Sequence, residues 1–237
     1  MTTRALVLTC EHGGARVPSQ YRQLFDGAAA GKALASHRGS DIGALRLARA
    51  LQSAFRVPLY ASGVTRLLVD LNRSVGHPGL FSEFSKRLGS TEQTALLNRH
   101  YFPHRHAVES WMDGQVRHGR QVVHIGVHSF TPRVDGRIRQ ADLGLLYDPS
   151  RARERALCAR WKSALAAIDP ELRVRRNYPY LGKSDGFVTH LRKRFDARQY
   201  LGVELEVNQA LLESIHGRRR AEKSIIESLR LAGSLAS

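Results

Sequence analysis

Histidine and carboxylate side chains stand at four points of this 237-residue chain where strands or loops run out, and together they could carry metal-assisted hydrolysis. The first is His12, which the apolar run Leu6-Val7-Leu8 delivers with Glu11 onto the turn Gly13-Gly14. Such a run reads as a buried strand, and paired glycines mark a turn where backbone approaches a ligand or ion closely. The second is Asp41, which ends the loop Ser36-His37-Arg38-Gly39-Ser40; a helix follows, so N-capping is its other reading. The third is His128, which shares a face with His124 but alone lies at the carboxyl end of the β-type run Val122 to Phe130, next to Ser129. The fourth is Glu206, which alternates with Glu204 amid apolar neighbours in the strand-like stretch Gly202 to Gln209. Carboxylates inside a buried strand need a partner, a metal or a proton to transfer.

Two histidines and one carboxylate with an open fourth position form the ligand set of a catalytic zinc site. Zinc lowers the pKa of bound water and polarises a carbonyl oxygen, while a nearby Glu moves the water's proton to the leaving amine. Amide hydrolysis then needs little besides an anchor. Arg73, after Asp70-Leu71-Asn72, suits a bidentate hold on a substrate carboxylate; a structural Arg–Asp pair is the alternative. Cys10 reads as a buried structural thiol before it reads as a nucleophile. His100, His104 and His106 read as surface groups or groups behind the ligands, because Pro103 disturbs the helix that would align them. A serine hydrolase lacks support, since no Gly-x-Ser-x-Gly elbow occurs.

The elements that must position these groups alternate between helix and strand. Ile42 to Phe55 has apolar residues at a 3.6-residue period. Strands are expected at Val57 to Ala61, Arg66 to Leu71 and Leu143 to Tyr147, and helices at Thr91 to Val116 (interrupted at Pro103), Arg151 to Ile168 and Ala221 to Leu231. This order predicts an α/β fold, a three-layer αβα arrangement around a mixed, largely parallel sheet. Ligands of such sheets bind at the carboxyl ends of the strands. The segment Val174 to Gly186 is rich in turn residues, and long loops of this kind are often functional.

Composition bounds the rest. With 42% hydrophobic residues and no low-complexity segment, a single domain over residues 1–237 is expected. No apolar run is long enough to span a membrane. Met1-Thr2-Thr3-Arg4 passes too quickly into a short strand for a secretory leader, and two cysteines make no disulfide framework, so a reducing cytoplasm is expected. The formal net charge of +16 draws anionic partners. Its clusters, such as Arg192-Lys193-Arg194 and Arg218-Arg219-Arg220, lack interleaved aromatics, which speaks against nucleic acid and for a basic solvated surface.

Six stretches in order, Glu11-His12-Gly13-Gly14, Ser40 to Ala44, Thr65 to Arg73, Val127 to Phe130, Asn177 to Tyr180 with Asp185-Gly186, and Glu204 to Val207, resemble the N-formylglutamate amidohydrolase family. The resemblance extends from about Leu6 to Leu212. It implies a fold similar to the zinc-dependent exopeptidases (phosphorylase/hydrolase-like), Zn2+ or another divalent cation as cofactor, and hydrolysis of N-formyl-L-glutamate to formate and L-glutamate, a closing step of histidine breakdown. A looser similarity to zinc-dependent peptidoglycan amidases implies Asp41 as middle ligand between His12 and His128, and Glu206 rather than Glu204 as base; Glu11 stays a rival for the middle position. Substrate contacts are expected from Asn72, Arg73, Ser129, Tyr180, Asp185, Arg192 and Glu204. The chain departs from the family pattern at Asn208, where an Arg is expected. A peptidoglycan-type amidase and a nucleic-acid-binding protein on an inactive hydrolase fold are the alternatives.

Overall fold

A computed structural model describes residues 3–233; Met1, Thr2 and the last four positions of the expected 1–237 domain lie outside the described residues. In chain order the elements are β1 (Arg4–Cys10), α1 (Ala28–Leu34), α2 (Ala44–Phe55), β2 (Leu59–Ala61), α3 (Ser90–Leu96), α4 (Phe102–Arg117), β3 (Gln121–Phe130), β4 (Arg133–Val134), β5 (Arg137–Ile138), β6 (Leu143–Leu146), α5 (Ala152–Ile168), β7 (Val174–Arg176), α6 (Phe187–Arg194), β8 (Tyr200–Asn208), α7 (Gln209–Glu213) and α8 (Ile215–Leu231). Six strands form one sheet in the order β2-β1-β3-β8-β6-β7. All neighbours run parallel except β6 against β8, which are antiparallel. The mixed, mostly parallel sheet expected from the alternation of elements is therefore present.

Alternation along the central strands sorts their side chains onto two covered faces. Leu6, Leu8 and Cys10 of β1, Val123, Ile125 and Val127 of β3, and Val203, Leu205 and Val207 of β8 pack with Leu47 and Leu51 of α2, Trp161 of α5 and Ile225 of α8. On the opposite face Val7 and Val122 meet Val108 and Met112 of α4 and Phe187 and Leu191 of α6. Three layers result, with helices on both sides of the sheet. All ten residues of β3 are buried, as the centre of such a sheet requires.

Three expectations need correction. Arg66 to Leu71 is a chain of turns, not a strand. Its apolar residues bury in two separate clusters, Leu67 and Leu68 in one and Val69 and Leu71 in the other. Local partners satisfy its backbone instead of a ladder: the Ser82 and Ser85 hydroxyls donate to Leu67 O, and Leu68 N donates to Thr65 O. Pro103 does not interrupt the helical stretch either. A π-helical turn at Leu97–Tyr101 joins α3 to α4 in one continuous helical stretch, and Pro103 follows that turn as the second residue of α4. Finally, β8 stops at Asn208, whose side chain caps α7 by accepting from Ala210 N.

Candidate active site

The carboxyl ends of β1, β3 and β8 meet at one edge of the sheet, and the histidines and carboxylates converge there. In the β3–β8 register His128 pairs with Glu206 and Gly126 with Glu204, so His128, Glu204 and Glu206 all point to the face covered by α4 and α6. His12 follows β1 directly. The turn after it runs tightly along the segment after β2: a Cβ on Gly14 would lie 2.6 Å from Gly63 O, so only glycine fits. The loop before α2 is tied in by Asp41 N donating to His12 O at 2.9 Å. Asp41 is not a helix cap. Gly43, with φ of +82°, occupies that position and turns the chain into α2.

The Asp41 carboxylate lies between two imidazoles. Its Oδ2 is 2.8 Å from His128 Nδ1 and 3.4 Å from His12 Nδ1. One ligand atom from each of His12, Asp41 and His128 can be chosen with all three within 4.8 Å of one another. The far side of each ring faces another carboxylate: His12 Nε2 is 2.7 Å from Asp70 Oδ1, and His128 Nε2 is 3.4 Å from Glu11 Oε2. With its Nε2 proton given to Asp70, His12 presents a lone pair at Nδ1. That atom is buried and has no hydrogen-bond partner among the described residues. A buried unpaired nitrogen among a carboxylate and a second imidazole is the donor set a divalent cation requires, so the residues fit the expected metal. Glu11 stands behind His128 rather than in the group.

Charge balance supports this arrangement. Burial pushes the Asp41 and Asp70 carboxyls up, but neighbouring charges outweigh it: His12 and His128 hold Asp41 well below the usual carboxylate range, and Arg66 and His12 do the same to Asp70. Arg66 donates to both, at 3.2 Å to Asp41 Oδ1 and 2.9 Å to Asp70 Oδ2. Burial likewise opposes ionisation of Glu11, and contacts with His104 and His128 overcome it. Glu206 behaves differently. Burial pushes its pKa up to about 8, the charges of Asp41 and Glu204 adding to the rise against His128, and its Oε2 is buried without a partner. A carboxyl so poised both takes and gives a proton near neutrality.

The pocket beside this cluster has a volume of about 290 Å³. It is lined by His12, Asp41, His128, Glu204 and Glu206 together with Asn72, Arg73, Ser129, Tyr180 and Asp185, so the fold gathers all but one of the anticipated substrate contacts. Arg192 is the exception. It is buried away from the pocket, where its Nε donates to Glu154 and its NH2 to Gly202 O. Within the lining, Asn72 donates to Glu204 Oε1 at 3.2 Å and accepts from Phe187 N. Ser129 Oγ donates to Ile42 O, and Asp185 accepts from Ser74 N. Arg73 donates one N–H to the Asp185 carbonyl and has no carboxylate partner among the described residues; Asp70 is taken by Arg66 instead.

Sequence reasoning missed Arg66 and Asp70 as parts of the site. Their i, i+4 spacing inside Thr65 to Arg73 was the available signal, but a strand reading gave it no use. His124 is buried off the pocket, bonded to Thr9 Oγ1 and the Tyr200 hydroxyl.

Fold and site together define an α/β protein with a buried imidazole–carboxylate centre and, at its strand ends, a glutamate with one buried oxygen that has no partner among the described residues. The family described as N-formylglutamate amidohydrolase matches residues 4–213, and the chain belongs to that family of amidohydrolases. Among solved structures, a gene product from Agrobacterium tumefaciens superposes with a TM-score of 0.83 at 29% identity, over 98% of this chain and 92% of that one. The N-formylglutamate amidohydrolase from Ralstonia eutropha shares the fold, with a TM-score of 0.74 at 18% identity over 100% of this chain and 95% of that one. No curated protein matches the sequence.

Proposed function

We propose that this chain is a metal-dependent amidohydrolase that cleaves the amide bond of an N-acyl amino acid, with N-formyl-L-glutamate as substrate and formate and L-glutamate as products. His12, Asp41 and His128 hold the cation, Zn2+ by the nitrogen-rich character of the set. The observation that carries the reading is His12 Nδ1, buried, unpartnered and aimed at the Asp41–His128 pair while Asp70 fixes the ring from behind. When bound, such an ion lowers the pKa of a water molecule and polarises a carbonyl oxygen.

The chain's own residues supply the rest. Glu206 accepts a proton at its free carboxyl oxygen and delivers it to the amide nitrogen as the C–N bond breaks, so the amine leaves neutral and the acid product keeps the solvent oxygen. Arg73, with no carboxylate partner among the described residues, grips a substrate carboxylate. Asn72 keeps Glu204 at the pocket wall, and Ser129 holds the Asp41 loop to β3 through Ile42. The free, buried thiols Cys10 and Cys158 suit the reducing cytoplasm in which histidine breakdown takes place.

Metal analysis of the purified protein together with formate release from N-formyl-L-glutamate tests this. The expected results are near-stoichiometric zinc, activity abolished by a chelator and restored by Zn2+, and a loss of at least about a hundredfold in kcat for Glu206→Gln, the scale of general acid–base catalysis. A protein that binds no divalent cation and whose His128→Ala variant matches wild type would overturn the reading. Turnover of muropeptides in place of formyl amino acids would keep the chemistry and change the substrate.

A further inference from the structure

Behind His128 the chain buries a second imidazole–carboxylate contact that amide hydrolysis, as derived above, does not use. Glu11 is 2% exposed and bridges two rings: its Oε2 lies 3.4 Å from His128 Nε2, and its Oε1 lies 3.5 Å from His104 Nε2. Glu11 Oε1 and His104 Nε2 are both buried and without a hydrogen-bond partner among the described residues, and each faces the other across this contact. A buried polar atom left unpaired is costly, which disfavours an accidental double vacancy.

The local backbone explains how His104 arrives there. The π-helical turn at Leu97–Tyr101 shifts the register entering α4, and such turns concentrate where a helix must aim side chains at a site. The neighbours of His104 are aimed in the same way. The Tyr101 hydroxyl and the Arg105 guanidinium both donate to Arg73 O, and Arg105 also donates to Leu71 O. The His104 ring is packed against Phe187, with centroids 6.1 Å apart, which limits its freedom to turn away. On the other side of the bridge, Glu11 faces the His128 nitrogen opposite the one directed at Asp41. Outer partners of this kind orient a ligand ring and raise its basicity.

We propose that His104 and Glu11 are a positioning pair: His104 fixes the Glu11 carboxylate, Glu11 fixes the His128 ring, and the pair thereby sets the affinity of the centre for a divalent cation. The inference rests on the metal reading above. Its test compares the full-length wild type with His104→Phe, His104→Gln and Glu11→Gln, by zinc competition against a chromophoric chelator and by the visible spectrum of the Co2+-loaded proteins. His104→Phe and Glu11→Gln are expected to bind zinc roughly 10–100-fold more weakly and to shift the cobalt bands. His104→Gln, whose amide N–H can take the place of the His104 Nε2 facing Glu11, is expected to recover most of the loss, which a mere packing role would not allow. Should His104→Phe fail to fold, Glu11→Gln and His104→Gln decide the matter.

Zinc affinity in His104→Phe or Glu11→Gln within about threefold of wild type, well inside the expected range, overturns the pair while leaving the hydrolase reading intact. So does a loss in His104→Phe that His104→Gln does not recover. A wild-type protein that binds no zinc brings down the metal reading first, and this inference with it.

Discussion

His124 shows how differently two histidines of one strand are used. It lies on the same face of β3 as His128, four residues earlier, yet it is bonded to the neutral Thr9 and Tyr200 hydroxyls rather than to carboxylates. Burial pushes its pKa down to about 4, whereas Asp41 and Glu11 overcome burial at His128 and raise that ring's pKa. In the unfolded chain an imidazole titrates near 6.5. Between about 6.5 and about 4 the unfolded state therefore binds a proton that the folded state refuses, and His124 removes stability as pH falls through that window. Above it His124 contributes no pH dependence. The loss on full acidification is about 3 kcal/mol by linkage. Glu206, His12 and His128 titrate with the opposite sign, so the His124 share is read as a difference. Urea unfolding at several pH values is expected to show a steeper loss toward acid in wild type than in His124→Asn; parallel profiles would disprove it.

At the scale of elements, the antiparallel contact of β6 with β8 brings the pocket wall to Glu206. Gly144 pairs with Glu206, and a Cβ there would lie 2.0 Å from Tyr178 O and 3.2 Å from Glu206 Cβ. Backbone cannot yield cheaply to such a clash. Gly144→Ala is expected to push away the segment that carries Tyr180 and Leu181, with a loss of about 1–3 kcal/mol in stability and a raised KM. Gly31→Ala in α1, where nothing lies within 4 Å of the added carbon, is the control and should be neutral or slightly stabilising. Thermal melts and steady-state kinetics on both variants check this; equal behaviour would show that the wall is freer than its packing indicates. The same scale explains why Thr65 to Arg73 misled as sequence. Its apolar run Leu67-Leu68-Val69 imitates a strand, but its apolar residues serve two clusters and its polar residues serve the site, a division that no ladder accommodates.

Across the whole molecule the formal net charge of +16 surrounds the centre for which we propose a small anionic substrate. Such a field speeds diffusional capture and is screened by salt. The second-order rate constant kcat/KM for an anionic N-acyl amino acid is expected to fall severalfold between about 20 mM and about 500 mM salt, while kcat stays level. A salt-independent kcat/KM would remove steering as the role of the charge. Nucleic-acid binding remains the competing use, and it predicts a log–log salt slope of about −0.9 per phosphate neutralised.

The linear sequence determined the layer order and the strand ends that carry His12, His128 and Glu206, because burial periodicity and terminal polar residues are local properties of the chain. It also offered Asp41 and Arg73 at useful places, without saying what they would face. Tertiary structure decided the partners. Only folding brings Asp70 and Arg66 behind His12 and Asp41, assigns Glu11 to the back of His128, turns His104 inward through a π turn, and withdraws Arg192 to Glu154. Those contacts join residues far apart in the chain, and their energies depend on burial and on distances that exist only once the sheet has formed.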